Sequence, residues 1–517
     1  MGRKKLPIGI QTFREIREDD CYYVDKTGFA QSLVDGGKTY FLSRPRRFGK
    51  SLFLDTLAEM FAGNKTLFEG LACYDTWDWD TVYPVVRISF AEGVIADTDQ
   101  LDRHVRGQLV DNAERLGIEA APDQDVARVL SLLIRRAEQA HGQRVVVLVD
   151  EYDKPILDSF TDLEVARQMR DSLRGLYSVL KGQDAHIKFV LLTGVSKFSK
   201  VNIFSGLNNL EDITLVPAYS ALCGYTDEDV DTVFAPELDG LDRDQIRYWY
   251  NGYNWTGETV YNPFDLLLLF KHRQLRPYWF ETGTPTFLLD TLTDRQVYLP
   301  TLGDLEASDA ALSAFEVGDV STPALLFQSG YLTIAATRRI GAVVQYRMKY
   351  PNQEVRSSLT EAMLGRLRPA DRQPPGTDRF TLYDRLVAGD LAGVDTFMRT
   401  VFSAIPADWH RKNPIDRFEG YYASVFYACF ASLPVDVTTE DASSTGRLDM
   451  AVHVADRTYL FEFKTVDHSP TGKALQQIRD KRYADKYRDD GTTIHLVGIE
   501  FSQEQRNIVA FDTETYS

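Results

Sequence analysis

The stretch YFLSRPRRFGKSLFL, Tyr40–Leu54, decides how the rest of the chain is read. An apolar run ends at Ser43 like a strand, a basic loop follows, and SLFLDTLAEMF then reads as a helix. The Gly49-Lys50-Ser51 triplet closes a phosphate-binding pattern, G-x-x-x-x-G-K-[ST], in which Arg44 stands where the first glycine belongs. Gly49 lets the backbone approach a phosphate, Lys50 reaches the β- and γ-phosphates, and the Ser51 hydroxyl is placed to ligate Mg²⁺. The helix beginning there adds its positive end. Arg44 removes one unhindered backbone position, while Arg46 and Arg47, beside Phe48, add charge and donors near the phosphates. A Gly-Lys-Ser triplet also arises by chance, so the reading needs a second element.

That element is RVVVLVDEYD, an apolar run ending in Asp150-Glu151 one strand-helix-strand spacing later. There, one carboxylate serves Mg²⁺ and the next polarises an attacking water. An acidic pair at a strand end can also be a solvated turn, but behind a Gly-Lys-Ser loop it reads as functional. A third run, IKFVLLTGVSKFS, places Thr193, Gly194 and Ser196 where a γ-phosphate sensor would sit, or where a plain turn would serve. These runs, with YPVVRISF, alternate with helical patterns such as DVARVLSLLIRRAEQA, as a parallel sheet buried on both faces requires. The fold expected is α/β: a P-loop NTPase parallel sheet with a helical accessory region over Asp227–Phe270.

LPIGIQTFREIREDDCYYVDKT, FLSRPRRFGKSLFLDTL, VVLVDEYDKPI and TGVSKFSKVNIFSGLNNLEDIT together resemble the AAA-ATPase-like family of bacterial and archaeal proteins, over roughly Leu6–Phe270. The loop of that family typically reads R-P-R-R-F-G-K-S, so Arg44 resembles a family variant more than a broken site. The resemblance implies ATP binding.

A second constellation lies near the C-terminus. GYYASVFYACFASL reads as an amphipathic helix preceded by Glu419, and GRLDMAVHVADRTYLFEFKTV follows. In YLFEFK, Glu462 and Lys464 project to one face of a strand while Phe461 and Phe463 project to the other. A turn at Ala455-Asp456-Arg457 makes a hairpin that brings Asp449 beside Glu462. Two carboxylates and a lysine can hold Mg²⁺, activate water and steady a scissile phosphate. A cross-strand salt bridge would use the same residues, although charge that interrupts an apolar strand is costly without a purpose. GRLDM, YLFEFK and ALQQIRDKRYADKY resemble the PD-(D/E)XK nuclease domain, over roughly Arg417–Phe511. The resemblance implies a restriction-endonuclease-like α/β domain in which Glu419, Asp449, Glu462, Lys464 and Gln477 form the metal and catalytic set, with LD in place of PD. Mg²⁺ is the metal expected, Mn²⁺ the alternative at the nuclease site.

Length and composition frame these sites. A chain of 517 residues exceeds one hydrophobic core, and 44% hydrophobic with 26% charged residues describes a soluble globular protein. The expected division is 1–225, 226–375 and 376–517, with the Arg366–Phe380 segment as linker. A net charge of −17 argues against a generally basic surface, though a local basic groove is compatible with it. Cys21, Cys73, Cys223 and Cys429 show no metal or disulfide spacing and read as buried thiols. No signal-peptide pattern and no long apolar run occur, so a cytoplasmic location without membrane association is expected. The leading expectation is an ATP-regulated, Mg²⁺-dependent nuclease, acting on DNA in preference to other nucleic acid, as a homo-oligomer, in defence or mobile-element biology. The competing one is a nucleotide switch whose C-terminal domain binds nucleic acid or protein without cutting.

Overall fold

The computed structural model describes residues 2–516 apart from 122–123, 161, 198–206, 208, 280–285, 296, 314, 317, 342, 368–378, 404–417, 444–445, 468 and 503. The chain divides into two compact units, Met1–Trp279 with Glu306–Asn352, and Phe280–Leu305 with Gln353–Ser517. This division does not coincide with a boundary at Arg366–Phe380. The helix Gln353–Leu367 runs into the start of that segment, yet packs against Phe418–Ala431 and so belongs to the second core. Proline and charge between 368 and 378 mark a break in local pattern, whereas the boundary is set by which core each helix buries its side chains in.

The first unit is built on β1 (Thr39–Ser43), α1 (Lys50–Phe61), β2 (Val85–Ser89), α2 (Val126–His141), β3 (Val145–Asp150), α3 (Leu163–Gly182), β4 (Ile187–Gly194) and β5 (Glu211–Asp212). The sheet order is β2-β3-β4-β1-β5, and all its pairs are parallel. Val145 through Val149 are buried without interruption, as a strand covered on both faces by helices must be. α2 shows how the cover is made: Val129, Leu130, Leu133, Ile134 and Ala137 are buried at helical spacing, Asp125 caps its start and Gly142 in the left-handed region ends it. With β4 between β1 and β3, the loop after β1 and the acidic end of β3 open onto the same crevice at the carboxyl ends of the strands.

The accessory region contributes α4 (Arg243–Tyr250) and α5 (Pro263–His272), the latter started by Asn262 as cap with Pro263 behind it. Their apolar faces close with Tyr22 and Val24 over a shared core including Tyr250, Tyr261, Leu266 and Phe270. A small sheet, order β6-β8-β7, joins β6 (Leu305–Ser308) to the hairpin of β7 (Thr333–Ile340) and β8 (Val343–Lys349).

The second unit contains α6 (Gln353–Leu367), α7 (Phe418–Ala431), β9 (Asp436–Ser443), β10 (Gly446–Val454), β11 (Arg457–Val466), α8 (Lys473–Asp480), β12 (Thr493–Ser502) and β13 (Asn507–Tyr516). Its strands lie in chain order, antiparallel except for the parallel β11–β12 pair that α8 bridges. Arg457 already pairs with Val454, so the β10–β11 turn is the two residues Ala455 and Asp456. α7 differs from the amphipathic expectation: Tyr422, Ala423 and Val425 through Ala431 are all buried. Packed against both α6 and β11, the helix has no face left for water. The α/β class holds for both units. Cys21, Cys73, Cys223 and Cys429 are buried thiols.

Candidate functional site

The loop between β1 and α1 begins with its most unusual residue. Arg44 is 1% exposed, and its guanidinium donates to the carbonyls of Ser43 (2.8 Å), Thr214 (3.0 Å) and Tyr219 (3.0 Å). It lies 4.2 Å from the ring centre of Trp255, and burial lowers its pKa to about 10. Its backbone N–H is committed to the Gly194 carbonyl at 3.1 Å. The side chain therefore sits beneath the loop as a brace and leaves the phosphate side open, which is how a bulky residue replaces the pattern's first glycine.

Gly49 holds φ at 91°, and a Cβ there would meet no protein atom within 4 Å. The space before it is thus open to a ligand at the N-terminus of α1. The buried Lys50 ammonium donates to the carbonyls of Arg44 and Pro45, both at 2.9 Å; burial lowers its pKa against an opposing pull from Asp150. Arg46 and Arg47 are exposed on the cavity side, with Arg47 3.8 Å from the ring centre of Phe264. Phe48 anchors the loop from below, edge-on to Tyr253 and Trp255. Gly49, Lys50, Ser51, Arg46 and Arg47 line a cavity of about 480 Å³, whose apolar walls include Ile10, Tyr22, Tyr225, Phe264 and Leu267. That volume is within the range of small-molecule sites. The walls come from the N-terminal segment and the accessory region, a contribution that loop motifs alone do not reveal.

At the end of β3, Asp150 accepts from the Thr193 hydroxyl at 2.7 Å and from the Glu151 N–H at 3.0 Å. Thr193 is fully buried, so its hydroxyl orients Asp150 rather than standing open to a γ-phosphate as a sensor would. Glu151 lines the cavity with φ at 51°; burial, then the neighbouring Asp150 charge, raises its pKa. A carboxylate shifted upward toward neutrality suits proton acceptance from water. Asp153, which the sequence reading missed, is 1% exposed and accepts from the backbone of Val195 and Ser196, tying the end of β3 to the end of β4. α1 packs against β3, which places Ser51 and Asp150 on elements that meet. Their hard oxygen donors suit Mg²⁺.

In the second unit, Met450 pairs with Phe461, and continuing that register sets Asp449 opposite Glu462. Asp449 accepts the Phe463 N–H at 2.7 Å, which locks it to β11 at that level. Glu462, 1% exposed, receives Lys464 at 2.8 Å and Gln477 from α8. Phe461 and Phe463 project to the other face and meet Phe426 of α7 edge-on. The structure thus brings Asp449, Glu462, Lys464 and Gln477 together on the α8 face. Glu419 lies in the first turn of α7, with its side chain outside the described residues. Tyr483, not anticipated, joins the group: its hydroxyl donates to the Arg447 carbonyl at 2.8 Å, and burial, with a Gln477 hydrogen bond opposing and Glu462 and Asp449 adding, raises its pKa.

Among the described residues no three His, Cys, Asp or Glu side chains cluster as a metal cage. Asp449 and Glu462 supply two hard carboxylates, a donor set that fits Mg²⁺ or Mn²⁺ completed by water or phosphate oxygens. Among the described residues, no helix is long and apolar enough to cross a membrane.

Comparison with known proteins agrees with both halves. Residues 7–204 match the family model described as a predicted AAA-ATPase, and residues 417–511 match that of the PD-(D/E)XK nuclease superfamily. The chain is also 61% identical over 518 residues to an uncharacterized protein in the vnfD 5′ region of Azotobacter chroococcum mcd 1, with 100% of each chain covered.

Proposed function

The chain is an AAA-ATPase-like family protein that carries a C-terminal PD-(D/E)XK nuclease-superfamily domain, and from that premise we propose a nucleotide-gated, metal-dependent nuclease that cuts DNA. The observation that carries the reading is the buried Glu462, held by Lys464 and Gln477 opposite Asp449. A carboxylate kept in an apolar strand with this company is poised for chemistry, since burial without purpose is expensive.

In this reading Asp449 and Glu462 hold Mg²⁺, which supplies an activated water and neutralises the scissile phosphate. Lys464 orients the nucleophile, and Gln477 keeps Glu462 in its rotamer. In the first unit the cavity takes ATP, Gly49 and Lys50 contact its phosphates, and Glu151 accepts the proton of the attacking water. Asp150, held by Thr193, stands beside it. The protein acts in the cytoplasm as a homo-oligomer, and a self-protecting nuclease of this kind suits defence or mobile-element biology.

The test is plasmid cleavage with and without Mg²⁺ by wild type, Asp449→Ala, Glu462→Ala and Lys464→Ala. Each substitution is expected to lower cleavage at least a thousandfold, because residues acting as a unit fail together. ATP binding and melting temperature should stay unchanged. Robust cutting by Asp449→Ala or Glu462→Ala removes the metal assignment, and wild type that binds nucleic acid without cutting selects the switch reading.

A further inference from the structure

The β7–β8 hairpin takes no part in either site, and its composition departs from the rest of the chain. The 17 residues Thr333–Lys349 include Arg338, Arg339, Arg347 and Lys349 and no acidic residue. They carry +4 in a chain of −17, so the remainder carries −17 − 4 = −21. All four cations are exposed, and among the described residues the structure gives Arg338, Arg339 and Lys349 no acidic partner. The tip pairs Ile340 with Val343, 55% and 60% exposed.

Register sorts the two faces. Opposed residues share a face, so Arg338, Ile340, Val343, Gln345 and Arg347 point one way, while Arg339, Val344 and the buried Tyr346 point the other way. The hairpin therefore carries arginine on both faces, with Gln345 donating to Glu306 of β6 at 2.6 Å, and ends in an apolar tip. From Thr333 to Ile340 the ribbon spans about 24 Å at the usual rise per residue. β6 flanks the hairpin along β8, so its tip rather than its width is what a duplex receives, and an exposed isoleucine-valine tip is the kind of apolar wedge that inserts between base steps.

We propose that this ribbon is the duplex-DNA docking element of the chain. The choice of nucleic acid as partner rests on the nuclease reading; the choice of B-form duplex rests on the hairpin's charge, its exposed apolar tip and the absence of exposed aromatic side chains for stacking single strands among its described residues. Its root is also tied to the nucleotide loop. The Thr333 hydroxyl accepts from the Asn254 N–H at 2.6 Å, next to the Trp255 that lies against Arg44. Gly330, just before β7, sits so close to Pro45 that a Cβ would come within 2.9 Å of that ring.

The experiment is fluorescence anisotropy of the full chain with a labelled DNA duplex, in EDTA so that binding is read without cleavage, across a salt series. The variant is Arg338→Gln, Arg339→Gln and Lys349→Gln together, all on exposed positions. It is expected to lower affinity at least tenfold near 0.1 M salt and to reduce the log–log salt slope by about 2 to 3, the loss of three phosphate contacts. Wild-type affinity and slope in the variant overturn the proposal, as does duplex RNA bound as tightly as DNA or wild type that fails to bind DNA. Ribbon-dependent binding by a chain that never cuts upholds the docking element and removes only the nuclease reading.

Discussion

At the scale of single residues, Arg44 shows how a departure from a motif can be a substitution of function. A glycine there would offer a bare amide, but in this fold that amide already serves the sheet, and the side chain satisfies carbonyls 170 and 175 residues away in sequence. Arg44→Gly, which restores the common pattern, should therefore destabilise the first unit by about 3 kcal/mol or more, since buried carbonyls lose charged donors and a cavity opens under the loop. Urea denaturation measures this, and a variant as stable as wild type would show that the brace is dispensable. No local pattern could have disclosed the role, because Thr214, Tyr219 and Trp255 reach Arg44 only through the fold. Gly49, Lys50 and Asp150, by contrast, were legible, since strand, loop and helix follow one another within a few residues.

Asp153 makes the same point through pH. Burial, opposed by the Ser196 and Val195 N–H groups and Lys50, raises its pKa to about 6 from an ordinary value of 3.8. Between those values the folded chain holds a proton that the unfolded chain has released, so this residue's contribution to stability falls as pH rises from about 4 to about 6, then levels off. Asp153→Asn removes that slope. The melting temperature of wild type should fall relative to that of the variant across that window, and their difference should stay constant above about pH 7. A difference independent of pH would return Asp153 to an ordinary ionised role.

At the scale of elements, the nuclease-like cluster depends on where α8 starts. Glu500 on β12, paired in register with Lys464, is fully buried and accepts from the Thr471 hydroxyl at 2.7 Å and the Lys473 N–H at 2.8 Å. It thereby caps the helix that carries Gln477, and those bonds hold its carboxylate below the usual range against the opposing effect of burial. Glu500→Ala should cost about 1 to 2 kcal/mol in stability, the worth of a cap, and lower cleavage about tenfold by releasing Gln477 from Glu462. Thermal melts and cleavage rates on the same preparations check both, and undiminished cleavage would show that α8 holds its place without the cap. The strand pair itself was readable, since charge interrupting YLFEFK and alternation in GRLDM are local. The packing around α7 was not, because whether a helix is wrapped on all sides depends on partners distant in sequence, here α6 and β11.

At the scale of the whole molecule, two sites of separate chemistry occupy two compact units of one chain. Composition announced more than one core, but the boundary at Asn352 depends on α6 burying itself beside α7, which no run of prolines records. An unregulated nuclease endangers the host chromosome, and a nucleotide-binding unit supplies a means of biasing a conformational equilibrium. Such gating requires nucleotide to bind two conformations unequally; about 2.7 kcal/mol of difference changes their ratio roughly a hundredfold. The expected result is a cleavage rate that depends on nucleotide state. Lys50→Ala, which on the proposed reading loses the principal charge facing the γ-phosphate, should behave the same with ATP, ADP or neither. Glu151→Gln is expected to retain binding and slow hydrolysis, and so should hold the ATP-bound rate. Measuring wild type and both variants under all three conditions decides the matter: a rate that follows the bound nucleotide in wild type and freezes in the variants establishes gating, and identical rates throughout establish two independent activities joined only by the chain.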